Sequence, residues 1–158
     1  MFKQYLYIQM KIEEATKTSS MLNHSKTIVN LVYTANYVTD SLNEVIKPFD
    51  ISLQQFNVLR ILRGQKGKPA NLFTIQERMI NKMSNTTRLI DKLIVKGYVE
   101  RIICKKNRRK VEITITDNGL EVLKLIDEKI EEVEKTIIRD FNENEIDTLN
   151  NLLDKLRT

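Results

Sequence analysis

At 158 residues the chain is long enough for one domain with helical extensions, and its 41% hydrophobic and 30% charged content suits a folded protein with much surface. One cysteine (Cys104) allows no internal disulfide framework, no apolar run is long enough to span a membrane, and the amino terminus lacks the apolar core of a secretion signal, so a cytoplasmic protein is expected. A single histidine, His24, and four glycines supply no Cys/His or Ser/His/Asp constellation, no metal-ligand cluster and no phosphate-cradling loop; no catalytic residue, metal or cofactor is expected, and the chain reads as a non-enzyme.

Taken in order, residues 1–14 are moderately apolar and suit a short helix on a partner or a loosely held arm, and 16–25 read as a polar linker. From Thr27 to Lys47, apolar residues such as Ile28, Leu31, Val32, Ala35 and Val38 recur every three or four positions, which predicts an amphipathic helix ended by Pro48. Ser52 with Gln55 three residues on forms a capping box that opens a helix burying Phe56, Leu59 and Leu62, stopped by Gly64, Gly67 and Pro69. Two short helices follow, Phe73–Ile80 and Ser84–Lys96, joined by a polar turn and closed by Gly97, the pattern of a helix-turn-helix. The apolar period then drops to two, predicting strands at Tyr98–Ile103 and Val111–Ile115. Between them Lys105, Lys106, Asn107, Arg108, Arg109 and Lys110 place five cations in six residues, which mutual repulsion disfavours and an anionic partner explains. Thr116 caps a helix whose Leu123, Ile126, Ile130, Val133 and Ile137 make a coiled-coil-like seam, and Asn142 with Glu145 opens a last helix carrying Ile146, Leu149, Leu152, Leu153 and Leu156.

Charge follows the same division. Between Lys82 and Lys110 lie ten basic and two acidic residues, a local +8 against a total of +5, so everything else sums to −3. A concentrated basic stretch beside an acidic remainder is the footprint of a polyanion site. The terminal helices together carry more apolar surface than the small core can cover, so a two-fold homodimer is expected, with Ile28, Leu31, Ile130, Val133, Ile137, Leu149, Leu153 and Leu156 at its interface.

The string from Thr86 to Arg101 (TTRLIDKLIVKGYVER), the string from Asn107 to Gly119 (NRRKVEITITDNG) and the string from Asp50 to Leu62 together resemble, in the right order, the recognition helix, wing and second helix of the multiple-antibiotic-resistance regulator (MarR) family. The likeness runs from about Ile28 to the carboxyl terminus. One departure is Asn107, where the family usually has an aspartate that helps to orient the wing. The resemblance implies a mainly α fold with a small β wing (α+β): a winged helix-turn-helix core with terminal dimerisation helices. It divides the chain into an arm (1–26), a dimerisation helix (27–49), a DNA-binding core (50–116, recognition helix about 84–96, wing about 98–115) and C-terminal dimerisation helices (117–158).

It further implies a transcription regulator, expected to be a repressor, that binds a pseudo-palindromic stretch of double-stranded DNA. Ser84, Asn85, Thr86, Thr87 and Arg88 would enter the major groove; Lys105, Lys106, Asn107, Arg108, Arg109 and Lys110 would serve the wing, with Arg109 in the minor groove. Asn85 and Thr86 are favoured as base readers because polar side chains there have little packing use, whereas Ser84 is equally suited to capping the helix. Family members often respond to small aromatic or anionic effectors bound between dimer helices and core, and Tyr33, Tyr37, Phe56 and Arg60 lie on elements that could line such a cleft. Ordinary core packing is the competing role for each. Cys104 is read as an inert thiol in preference to a redox sensor. The rival to DNA binding, a winged-helix module for protein–protein contact, calls for an uncharged wing and an apolar recognition helix, and the sequence has neither.

Overall fold

The computed structural model describes residues 10–103 and 111–157. Its elements are α1 (Ile12–Ala15), α2 (Asn23–Ile46) with a 3-10 turn (Lys47–Phe49), α3 (Leu53–Arg63), α4 (Leu72–Arg78), α5 (Thr86–Val95), β1 (Val99–Ile103), β2 (Val111–Ile115), α6 (Asp117–Ile137) and α7 (Glu143–Lys155). The chain falls into two compact units, Met1–Asp40 and Ser41–Thr158, divided within α2.

In the first unit α2 begins at Asn23 and not at the expected Thr27, so part of the supposed linker is helical. Asn-His-Ser-Lys carries no apolar residue, and a helical turn that buries nothing leaves no periodic trace. Lys26 on this added turn reaches Glu13 on α1 at 2.6 Å.

The second unit holds a winged helix. Pro48 breaks α2 into the 3-10 turn, and Asp50 reverses the chain in a left-handed conformation. The expected capping box is present: Gln55 N–H donates to Ser52 Oγ (3.2 Å) and Ser52 N–H to Gln55 Oε1 (2.9 Å). α3 then drives Phe56, Val58, Leu59 and Leu62 into a core shared with Ile75 and Met79 from α4 and its end, Ile90 and Leu93 of α5, and Val99 and Ile113 of the sheet. α4 starts one residue earlier than predicted because Asn71, not Leu72, caps it by accepting the Thr74 N–H.

β1 and β2 pair antiparallel with Val99 opposite Ile115 and Arg101 opposite Ile113. Ala70 exchanges both backbone hydrogen bonds with Ile113 (2.8 and 2.9 Å), so the α3–α4 loop adds a one-residue third strand that the sequence did not signal. α6 closes the core with Leu123, Ile126 and Ile130. Ile130 is 4% exposed, which corrects its assignment to a dimer interface: the seam packs at least that far within its own chain, while Val133 and Ile137 are half-buried. α7, opened by the Asn142/Glu145 capping box, buries no residue; Leu149, Leu152 and Leu156 are exposed and Leu153 half-buried. Ile28 and Leu31 on α2 are also exposed. Among the described residues no helix is long and apolar enough to cross a membrane.

Candidate nucleic-acid interface

The geometry of α5 decides which of its side chains can meet another molecule. Thr86, Ile90 and Leu93, spaced by four and three, form its inward face and are buried; Leu89 and Ile94 pack at its margins. Thr87, Arg88, Asp91, Lys92 and Val95 form the opposite face and are exposed. Two of these were expected from the sequence. Asp91, Lys92 and Val95 were missed, although continuing the helical period from Thr87 and Arg88 reaches each of them.

Of the other three expected readers, Thr86 is contradicted by its burial, while Asn85 is exposed and Ser84 half-buried. Thr86 is only 3% exposed, and its hydroxyl donates to Gln76 Oε1 on α4, so it belongs to the junction between the two helices. Asn85 is the N-cap, accepting the Arg88 N–H at 3.1 Å; its carbonyl oxygen is committed to the helix end, and only its amide nitrogen remains for a partner. Ser84 does not cap. Its hydroxyl is buried and has no hydrogen-bond partner among the described residues. The expectation that polar side chains at this end have little packing use fails at Thr86, which is buried, whereas Asn85 is exposed and caps the helix.

Ion pairs tie both ends of this surface to its neighbours. Arg101 on β1 holds Asp91 at 2.7 Å, linking the outward face of α5 to the wing. Lys96, at the helix C-cap, pairs with Asp50 in the reversal after α2 and holds that carboxyl below the ordinary aspartate range, chiefly through the hydrogen bond and then through charge. A lowered carboxylate contributes above its unfolded pKa and loses its contribution as pH falls through the folded one, so this pair weakens only in acid. Both pairs are solvent-exposed and fix geometry more than stability. No described ion pair engages Arg88 or Lys92.

Thr116 joins α5 to the sheet and α6. Its Oγ1 accepts the Gly119 N–H (3.1 Å) as the cap of α6 and donates to the carbonyl of Gly97 (2.7 Å), while its N–H donates to the carbonyl of Tyr98 (3.1 Å). Gly97 itself has φ +72°, the left-handed turn that lets the chain pass from helix to strand. On the sheet surface Thr114 donates to Glu100 across the strands at 3.0 Å. The residues expected at the wing tip, Lys105, Lys106, Asn107, Arg108, Arg109 and Lys110, and Cys104 with them, lie outside the described residues.

Of the four effector-cleft candidates, Phe56 is 3% exposed within the core, with the exposed Arg60 guanidinium 5.7 Å from its ring centroid. It is therefore a packing residue and does not wall a cleft. Tyr33, exposed, and Tyr37, half-buried, belong to the first unit. A solvent-open groove of about 790 Å³ does occur beside α5, between the end of α2, residues 50–55 and the exposed side chains from Arg88 to Lys96, and none of the four lines it.

The MarR family model matches residues 51–111, from the start of α3 to the second wing strand. The transcriptional regulator PecS of Dickeya dadantii, described as HTH-type, is 31% identical over 119 residues, which span 73% of this chain and 70% of that protein. The chain belongs to the MarR family. It is accordingly a winged-helix transcriptional regulator and not an enzyme. Two solved structures share the fold. A cysteine-to-serine mutant of Escherichia coli MarR complexed with operator DNA superposes with a TM-score of 0.74 at 24% identity, covering 87% of this chain and 99% of that one. The organohalide-sensing regulator RdhR in its 2,4-dichlorophenol-bound form gives 0.79 at 16% identity, covering 87% and 81%.

Proposed function

We propose that this MarR-family protein is a repressor that binds a pseudo-palindromic operator as a homodimer. The observation that carries the reading is the outward face of α5: Thr87, Arg88 and Lys92 stand clear of the core on a helix of major-groove size, anchored from behind by Ile90 and Leu93. Arg88 can grip a guanine at two points, Thr87 can contact a base edge or a phosphate, and Lys92 takes a phosphate. The Asn85 amide can add a donor at the helix start. The wing cations, Lys105, Lys106, Arg108, Arg109 and Lys110, extend the contact along the backbone, with Arg109 in the minor groove.

Dimerisation rests on 27–49 and 117–158. The exposed Leu149, Leu152 and Leu156 on a helix that buries nothing, and the exposed Ile28, Leu31 and Val32 on α2, support it, because apolar patches of this kind usually mark an interface. Two-fold symmetry then spaces the α5 helices by about 34–36 Å and makes the operator a near-palindrome. Release by a small aromatic or anionic ligand completes the proposal, supported by the groove beside α5 and by the ligand-bound state of a neighbour of the same fold.

Selection of bound fragments from genomic DNA, followed by footprinting, tests the reading. It predicts protection of two half-sites one helical turn apart. Enrichment of no sequence over input at low salt would refute it.

A further inference from the structure

α4 ends at Arg78 and α5 begins at Thr86, so seven residues (79–85) connect the two helices of the reading head. Helix-turn-helix units usually use three or four. A longer connection leaves α5 more ways to lie on the core, and holding each backbone residue in one conformation carries an entropy cost. Hydrophobic burial supplies little of the restraint: Met79 is buried, but Ile80 and Met83 are 85% and 92% exposed. Hydrogen bonds supply more of it: besides the backbone bonds of the turn and the Lys82 ammonium on the Glu77 carbonyl, three side-chain amides take part. Asn57 on α3 accepts the Ile80 N–H at 3.0 Å, and Asn81 accepts the Met83 N–H at 3.0 Å within the turn. Of these three amides, Gln76 reaches from α4 to both the connection and α5. Its Nε2 donates to the carbonyl of Lys82 at 2.7 Å, and its Oε1 accepts the hydroxyl of the buried Thr86, the first residue of α5.

Resting on the DNA-reading role proposed for α5, we propose that Gln76 is a positioning residue: through its paired hydrogen bonds to Lys82 and Thr86 it fixes how α5 meets the duplex and so sets sequence discrimination without touching DNA. Base-edge hydrogen bonds demand tight geometry, whereas phosphate attraction tolerates a shifted helix. Loosening the bracket therefore removes specific affinity and spares non-specific affinity.

The test measures wild type, Gln76→Ala, Thr86→Val and Thr86→Ser by fluorescence anisotropy against two duplexes at one salt concentration. One is the tightest fragment that wild type selects from genomic DNA; the other is a shuffled sequence of the same length. Gln76→Ala and Thr86→Val should each lower the ratio of the two affinities by about tenfold, the scale of one or two well-placed hydrogen bonds, and leave the shuffled duplex within about twofold of wild type. Thr86→Ser, which keeps the hydroxyl, should return most of the ratio. Combining Gln76→Ala with Thr86→Val should add little, because both remove one shared bond. An unchanged ratio in the folded variants would overturn the proposal, as would an equal fall on both duplexes. If Gln76→Ala does not fold, the near-isosteric Thr86→Val carries the test alone. Failure of wild type to prefer any duplex would instead refute the DNA-reading role, so the two failures are distinguishable.

Discussion

Gly119 offers the sharpest single-atom test of how the wing base is assembled. It sits in the first turn of α6, where a Cβ added to it would lie 2.8 Å from Ile115 Cγ1 and 3.0 Å from the carbonyl carbon of Tyr98, and still closer to that residue's carbonyl oxygen. The side chain of Ile115 can yield; the Tyr98 backbone cannot do so freely, because its carbonyl accepts the Thr116 N–H at 3.1 Å in the same junction. Gly119→Ala would elsewhere gain up to about 1 kcal/mol of helix propensity, and less in a first turn. Overpacking against a fixed carbonyl costs about 1–3 kcal/mol, here toward the upper end. The net loss is about 2 kcal/mol, and at about 2–4 °C per kcal/mol for a chain of this size Tm falls by about 4–8 °C. Thermal unfolding by circular dichroism at matched protein concentration checks it, with Gly119→Ser as a second report of the same clash. A Tm equal to or above that of wild type would refute the packing argument.

The other predictions follow from the same junction and from the outward face. Thr116→Val removes the cap of α6 and the donor to Gly97, and should cost about 1–2 kcal/mol in thermal unfolding, with Thr116→Ser close to wild type. Arg88→Ala should leave Tm unchanged, since the Asn85 cap uses the Arg88 backbone, yet weaken operator binding by about 1–3 kcal/mol in an anisotropy titration; a larger effect on stability than on binding would place Arg88 in the fold. Arg109→Ala should weaken binding to all sequences tested, and tight binding at moderate salt by this variant would remove the wing from the account.

Much of the architecture was legible because local chemistry and burial agree at the element ends. Ser52, Thr116 and Asn142 cap the helices the sequence assigned to them, and Gly97 closes α5 as expected, through a left-handed turn. The failures share a cause: the sequence shows which residue types occur and hides which neighbour they meet. Thr86 looked like a free polar group until Gln76, ten positions earlier, proved to hold its hydroxyl. Ile130 looked like an interface residue until the rest of the core closed over it. Ala70 gave no strand signal, because one residue has no period. The outward trio Asp91, Lys92 and Val95 is readable in the sequence, because it continues the helical period of Thr87 and Arg88 beyond the first turn of α5.

In the proposed function two chains present paired α5 helices to one stretch of DNA. A stoichiometric anisotropy titration of the selected duplex, performed well above the dissociation constant, measures this directly. The predicted result is a sharp break at two chains per duplex, with affinity that declines log-linearly as salt is raised. A break at one chain per duplex, or no change in anisotropy even in dilute buffer, would contradict it.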